Sequence, residues 1–266
     1  MTRRRRIARS TSSFAIPRSG DAFFGREEEL AHVERWLDSP GARVLTIWGP
    51  GGIGKTRLVI EAITRAIDRS TIDAREVLFC PLEKVRAPAD VYQAVLHAAD
   101  LHLPPGSFDT PGSVARHLQG GPRRLVILDS AEGQSAAVDQ LIAATTAIDD
   151  VRFLVTSQVV PGLKAGEVLA VGPLGAAAAL FADRAARARA GYRTDVEDEP
   201  VLARLLERLH GHPLAIELAA MRMASLDVRG LLARVESSFE ALSTSAADVP
   251  ERHRSIRAVL ASTWSL

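Results

Sequence analysis

The chain of 266 residues is short of several things, and each shortage excludes something. It holds a single cysteine, Cys80. One thiol can neither close an internal disulfide nor build a thiolate metal cluster, so a reducing, cytoplasmic setting is expected. Cys80 lies in the apolar run Val77-Leu78-Phe79-Cys80, where a thiol packs as a small buried hydrophobe. Charge of one sign is not in excess: 33 Lys and Arg stand against 32 Asp and Glu, a formal net charge of +1. No overall field therefore steers the chain toward nucleic acid or a lipid surface. No apolar run approaches the ~18 residues of a membrane helix, so no membrane partner is expected. The basic N-terminus lacks the apolar stretch of a secretory signal. No repeat with a period of roughly 20–50 residues is visible, which excludes a solenoid.

What is present is an ordinary globular composition, 47 % hydrophobic and 24 % charged. The length suits one large domain, or a main domain with a smaller companion. Residues 1–20 read as a disordered basic tail, with Arg3 to Arg6 followed by Ser10 to Ser13. A helix is predicted from Glu27-Glu28-Glu29, whose charge suits the first turn, with Leu30, Val33, Trp36 and Leu37 on one face and Pro40-Gly41 ending it. Strands are predicted at Val44 to Trp48, which reads as buried, at Val77 to Leu82, at Leu125 to Leu128, apolar throughout as when both faces are covered, at Phe153 to Val155 and at Val168 to Val171. Helices are predicted after residue 54, at Val91 to Ala99 and at Ala136 to Ala147, and Leu103 to Gly106 reads as a loop.

Strands alternating with helices give a parallel α/β sheet with right-handed crossovers. The character changes after Pro173. Segments 175–190, 199–210 and 213–225 read as helices, and no strand pattern recurs. The expected fold class is α/β, a three-layer α/β/α P-loop NTPase sheet followed by a small helical lid subdomain. The expected division is a tail (1–20), a nucleotide-binding domain (21–173), a helical lid (174–245) and the start of a truncated winged-helix-like segment (246–266).

The most informative run is Gly49-Pro50-Gly51-Gly52-Ile53-Gly54-Lys55-Thr56, a full match to G-x-x-x-x-G-K-[ST]. Wrapping a phosphate chain in backbone N–H groups needs conformations open mainly to glycine. The helix that follows points its positive end at the anion. Lys55 supplies a point charge for the outer phosphates, and Thr56 offers a hydroxyl to Mg²⁺. Arg57, directly after the motif, joins the candidate binding set. Such a loop needs an acidic residue at the end of a neighbouring strand to hold the metal's water shell. Asp129 is the candidate, although an aspartate there could also cap the next helix. Glu132 could deprotonate the attacking water or simply be an acidic first-turn residue. Thr156-Ser157-Gln158 end a strand, where ligands of parallel sheets bind but surface polar groups also occur. Gly211-His212-Pro213 reads locally as punctuation between two helices.

Taken in order, these features resemble a family. Phe24-Gly25-Arg26-Glu27-Glu28-Glu29 resembles the hhGRExE motif of STAND-class signalling ATPases. Gly49 to Thr56 resembles their Walker A, Leu125 to Asp129 their Walker B, and Val155-Thr156-Ser157 their sensor 1 strand. Gly211-His212-Pro213-Leu214-Ala215 is similar to their GxP motif. The set spans residues 21–220 and looks closest to the NB-ARC-like ATPase domains of bacterial SARP and LuxR-type transcriptional regulators.

The resemblance implies that Gly25, Arg26 and Pro213 contact the adenine–ribose end of ATP or ADP, with Mg²⁺ as the metal. It implies a compact ADP form, opened by exchange for ATP, which then self-associates. It also implies slow hydrolysis, and DNA or protein partners engaged through regions beyond this chain. Gln158 stands where the family usually has arginine, so an uncharged amide replaces a γ-phosphate contact. Glu251 to Ser255 and Ser262 to Leu266 resemble the family's entry into a winged helix. Two other functions compete. An AAA+-like motor needs an arginine finger, for which Arg184, Arg187 and Arg189 are available on what otherwise reads as a solvated helix face. A DNA-binding fragment would use Arg3 to Arg6 in a salt-sensitive way.

Overall fold

The computed structural model describes residues 16–17, 20–39, 41–101, 110–159 and 166–237. The basic run Arg3 to Arg6, the loop Leu103 to Gly106 and the segment 246–266 lie outside the described residues. Five strands form one parallel sheet: β1 (Val44–Trp48), β2 (Val77–Pro81), β3 (Arg124–Asp129), β4 (Val151–Ser157) and β5 (Glu167–Ala170), in the order β2-β3-β4-β1-β5. Register is continuous across the middle, with Val44 opposite Phe153 and Val126 opposite Phe153 on the other side.

The apolar strands are explained by two cores, one on each face. Leu78, Cys80, Val126, Leu128, Phe153 and Val155 face one; Val77, Phe79, Leu125, Ile127 and Leu154 face the other. Neighbouring residues of a strand point to opposite sides, so nearly every position of β1 to β4 is buried and those runs read as continuously hydrophobic, whereas edge strand β5 is mostly exposed. Helices α3 (Pro88–Ala98), α4 (Pro111–Leu118) and α5 (Ser135–Ala144) cover the first face through Val91, Val95, Val114 and Leu141. Helices α1 (Glu27–Asp38) and α2 (Lys55–Asp68) cover the second through Val33, Trp36, Leu58 and Ile63.

Two arginines fasten helix C-termini to this sheet. Arg152 of β4 donates to the carbonyls of Leu37 and Ala42 at 2.8 Å each and to that of Trp36, while its guanidinium lies 4.1 Å from the Trp36 ring centre. Arg43 donates to the carbonyls of Thr145 and Thr146 beyond α5, and to that of Ile148. Both bind carbonyls at or just beyond the C-terminal end of a helix.

Beyond the sheet, α6 (Ala177–Ala188), α7 (Glu199–Arg208), α8 (Pro213–Met221) and α9 (Val228–Ser237) surround a third core of Leu180, Phe181, Leu205, Ile216, Ala219 and Leu231. Phe24, from the segment before α1, packs against it. The three-layer α/β/α class with appended helices agrees with the sequence reading. Two helices were not foreseen. No element was assigned between Gly106 and Leu125, where α4 forms, and none after residue 225, where α9 forms. Each carries a glycine in its first turn, Gly112 and Gly230, which lowers helix propensity and hides the pattern. The helix predicted to end at Ala147 stops at Ala144, because Thr145 turns its hydroxyl back onto the carbonyls of Leu141 and Ile142.

Candidate functional site

β1 runs into the glycine loop, and the loop runs into α2. Gly52 and Gly54 take left-handed conformations, with φ of 74° and 99°. Gly49 is required for a different reason: a Cβ there would lie 2.5 Å from the Val171 carbonyl oxygen. The N-terminus of α2 has no side-chain cap and no acidic first-turn residue, unlike α1 with its three glutamates. Its first N–H groups and positive dipole end are therefore left for an external anion. Lys55 is buried, and its Nζ donates to the carbonyls of Gly49 and Pro50 at 2.7 and 2.8 Å. Those bonds span the loop and hold its curvature.

Asp129 ends β3 and is only 8 % exposed. Its Oδ1 accepts two hydroxyls, Thr56 Oγ1 and Thr156 Oγ1, each at 2.7 Å. The Ser130 N–H donates in turn to Thr156 Oγ1 at 2.8 Å. Burial pushes the Asp129 carboxyl above the usual carboxylate range; the two hydroxyls and Lys55 pull against that shift, and Glu132 adds to it. The sequence reading put Asp129 on the strand next to the loop strand. The sheet order corrects this: β4 lies between β1 and β3, and Thr156 of β4 fills the gap.

A buried carboxylate beside a threonine hydroxyl is a hard-oxygen donor set. It fits Mg²⁺, which keeps several waters and takes few protein ligands. No cluster of three or more His, Cys, Asp or Glu exists among the described residues, so an all-protein cage is not formed there. Glu132 lies on a 3-10 turn, Ala131–Gln134, and its Oε1 accepts Gln158 Nε2–H at 2.7 Å.

The remaining candidates except Gly25 surround a cleft of about 510 Å³, bounded by Phe23, Phe24, Gly51 to Arg57, Asp129, Glu132, Gln158, Leu180, Arg184, Pro213 and Leu214. Arg26 lines it, but its guanidinium is engaged by protein. It donates to Glu29 (2.8 Å), to the Gly172 carbonyl (2.6 Å) and to the Ile53 carbonyl (3.2 Å). Arg26 thus ties the loop to the segment leaving β5. Gly25, with φ of 63°, lies against Ala176 and Leu174, each about 3 Å from where a Cβ would stand. Arg57 donates to the Asp21 carbonyl. The Asp21 carboxylate accepts Arg184 at 3.2 Å and Arg187. Arg184 also holds Glu217 at 3.1 Å. The face the sequence read as solvated is so at Arg187, which is half-exposed, but Arg184 is largely enclosed, and both arginines are paired within the chain.

Gly211-His212-Pro213 is the punctuation that local sequence suggested, with Gly211 left-handed (φ 62°) after α7 and His212 the N-cap of α8, but it is not at the surface. In the structure His212 is 2 % exposed, and its Nε2 lies 2.9 Å from the Gly51 carbonyl oxygen. The Leu214 N–H donates to the Gly52 carbonyl at 3.4 Å. A Cβ on Gly52 would stand 2.9 Å from both His212 Cε1 and Leu214 Cδ2. The turn before α8 is seated on the middle of the loop. No local pattern could show this, because the partners are about 160 residues apart in sequence.

Comparison with known proteins places the fold. No family model matches the chain. An uncharacterised protein of Mycobacterium tuberculosis is 29 % identical over 253 residues, which is 92 % of this chain and 61 % of that protein. The chain thus spans about three fifths of the relative's length. A second protein of the same organism, named provisionally as an HTH-type transcriptional regulator, is 30 % identical over 84 % of this chain but only 25 % of its own length. Among solved structures, the Walker-type ATPase of Pyrococcus abyssi superposes with a TM-score of 0.57 at 14 % identity, covering 83 % of this chain and 73 % of its own. Cdc6p of Pyrobaculum aerophilum gives 0.56 at 16 % identity, over 75 % and 61 %. At such identities the likeness is one of fold.

Proposed function

We propose that the chain is an ATP/ADP-binding switch module of the STAND type, with NB-ARC-like character and slow hydrolysis. The observation that carries this reading is the contact between the turn before α8 and the phosphate loop. His212 and Leu214 hold the carbonyls of Gly51 and Gly52, so the helices α6–α9 sit on the part of the loop that a phosphate chain would touch. An occupant that reshapes the loop must also shift those helices, which is the requirement for a bistable element biased by one phosphate.

In this reading Lys55 and the N–H groups of Gly51 to Thr56 hold the phosphates. Thr56 and Asp129 hold Mg²⁺, which supplies charge neutralisation at the outer phosphates. The apolar walls from Phe23, Phe24, Leu180, Pro213 and Leu214 take the base and ribose. Residues 21–173 form the nucleotide-binding domain and the helices from 174 onward its lid. The relative named as a transcriptional regulator supports placing the module in a cytoplasmic regulator of transcription, with self-association in the ATP state and DNA or protein partners reached through further regions. No described helix is long and apolar enough to cross a membrane.

Hydrogen exchange with ADP and with a non-hydrolysable ATP analogue tests the switch. Amides at the start of α8 are expected to exchange faster with the analogue than with ADP, by about tenfold or more. Identical protection in both states speaks against it. The motor reading, to which the Cdc6p-like fold lends some support, predicts turnover stimulated by oligomerisation. Arg184 and Arg187, its arginine candidates, are engaged within the chain.

A further inference from the structure

We propose that Gln158 is a positioning residue for hydrolysis, holding the Glu132 carboxylate so that Glu132 Oε2 receives the proton of the attacking water. The proposal deepens the nucleotide reading above and rests on it. Sequence alone assigned Gln158 to a phosphate. Its amide nitrogen instead donates to Glu132 Oε1 at 2.7 Å. Its amide oxygen lies against the loop, 2.9 Å from where a Cβ on Gly51 would stand. The side chain is therefore wedged between the phosphate loop and a carboxylate.

Its backbone is held as well, since the indole N–H of Trp48 donates to the Gln158 carbonyl at 3.1 Å. The turn carrying Glu132 begins at Ser130, which takes a left-handed conformation (φ 62°) and is pinned by its N–H bond to Thr156. Glu132 Oε2 is buried and has no hydrogen-bond partner among the described residues. A buried carboxylate oxygen with no donor is costly and seeks one. Glu132 is among the residues that bound the cleft with Lys55, Thr56 and Asp129. Asp129 Oδ1 is committed to the Thr56 and Thr156 hydroxyls, and in the reading above Asp129 is given to the metal, which leaves Glu132 as the carboxylate for the water.

The step balances without a further reactant. A water oxygen forms a bond to the terminal phosphorus of ATP, and its proton passes to Glu132 Oε2. The bond from that phosphorus to the bridging oxygen breaks, and ADP leaves with the electron pair. Glu132 then returns the proton to solvent.

The test measures Mg²⁺-dependent ATP hydrolysis and equilibrium ATP affinity on the same preparations of the parent chain, Gln158→Met, Glu132→Gln and the double variant. Methionine keeps the size of glutamine and removes the donor. Gln158→Met is expected to lower turnover about tenfold, the worth of one hydrogen bond to a charged group, with affinity changed less than about twofold. Glu132→Gln is expected to lower it by about a hundredfold or more. The double variant should be no slower than Glu132→Gln alone, because Gln158 acts through Glu132. Loss of affinity in Gln158→Met, or multiplicative losses in the double variant, would mark Gln158 as a phosphate contact and overturn the proposal. Faster turnover in Gln158→Met would overturn it too, by showing that the amide restrains the base. A parent chain that binds ATP without hydrolysing it sinks this proposal alone, whereas one that binds no nucleotide sinks the reading beneath it.

Discussion

At the scale of single residues, burial separates the groups that work from those that only pack. Cys80 is fully enclosed, and burial pushes its thiol up to about 12, so it is an inert part of the core as its sequence setting suggested. His212 is equally buried, yet it reaches across to the phosphate loop. Replacing it with alanine leaves the Gly51 carbonyl without its partner and opens a hole beneath α8. The expected cost is about 1–3 kcal/mol of unfolding free energy, measured by urea denaturation. A loss below ~0.5 kcal/mol would mean that the contact does not hold the helices to the loop. This residue also marks where sequence reasoning stopped. The glycine loop, Lys55, Thr56 and Asp129 were readable because their chemistry is local and fixed in spacing. The contacts of His212, and the pairing of Gln158 with Glu132, arise between distant segments and leave no periodic trace.

At the scale of elements, the central strands were legible because burial on both faces makes their middles apolar, and long amphipathic helices because their period is regular. The short helices α4 and α9 were not, each weakened by an early glycine. The role of Arg152 was equally hidden, since an arginine inside a strand usually signals an edge or an exposed face. It instead closes the end of α1 and stacks on Trp36. Arg152→Ala removes three hydrogen bonds to carbonyls and the ring contact. A destabilisation of about 2–4 kcal/mol is expected in thermal or chemical unfolding, with α1 losing protection first. Arg152→Lys should recover less than half of it, because an ammonium cannot span the three acceptors. Full recovery by lysine would show that charge alone matters there.

At the scale of the whole molecule, contacts between the sheet layer and the helices α6–α9 among the described residues include the His212 contact, Phe24 packed against the third core, and the knot at Asp21. Asp21 joins α2 through Arg57 and α6 through Arg184 and Arg187. Its hydrogen bond from Arg187 holds the carboxyl below the usual carboxylate range. A depressed carboxylate contributes stability that is full above its unfolded value of about 4 and is lost as pH falls through the lower folded value. Acidification below about pH 4 should therefore loosen this knot, and Asp21→Asn should flatten that part of the stability–pH curve. Unchanged curves for the parent and the variant would remove Asp21 as a link. The end of the strand pattern near Pro173 was visible in sequence, and the described elements after β5 are helices. The way those helices sit on the loop was not visible.

The loop Gly49 to Thr56 is proposed to hold the phosphates of an adenine nucleotide. Equilibrium titration of the folded chain with ADP and Mg–ATP, beside Lys55→Ala, tests it most directly. The account predicts one site per chain, and a loss of at least about a hundredfold in the variant, equivalent to roughly 2.7 kcal/mol. Absence of binding to the folded parent, or equal affinity in Lys55→Ala, would contradict it.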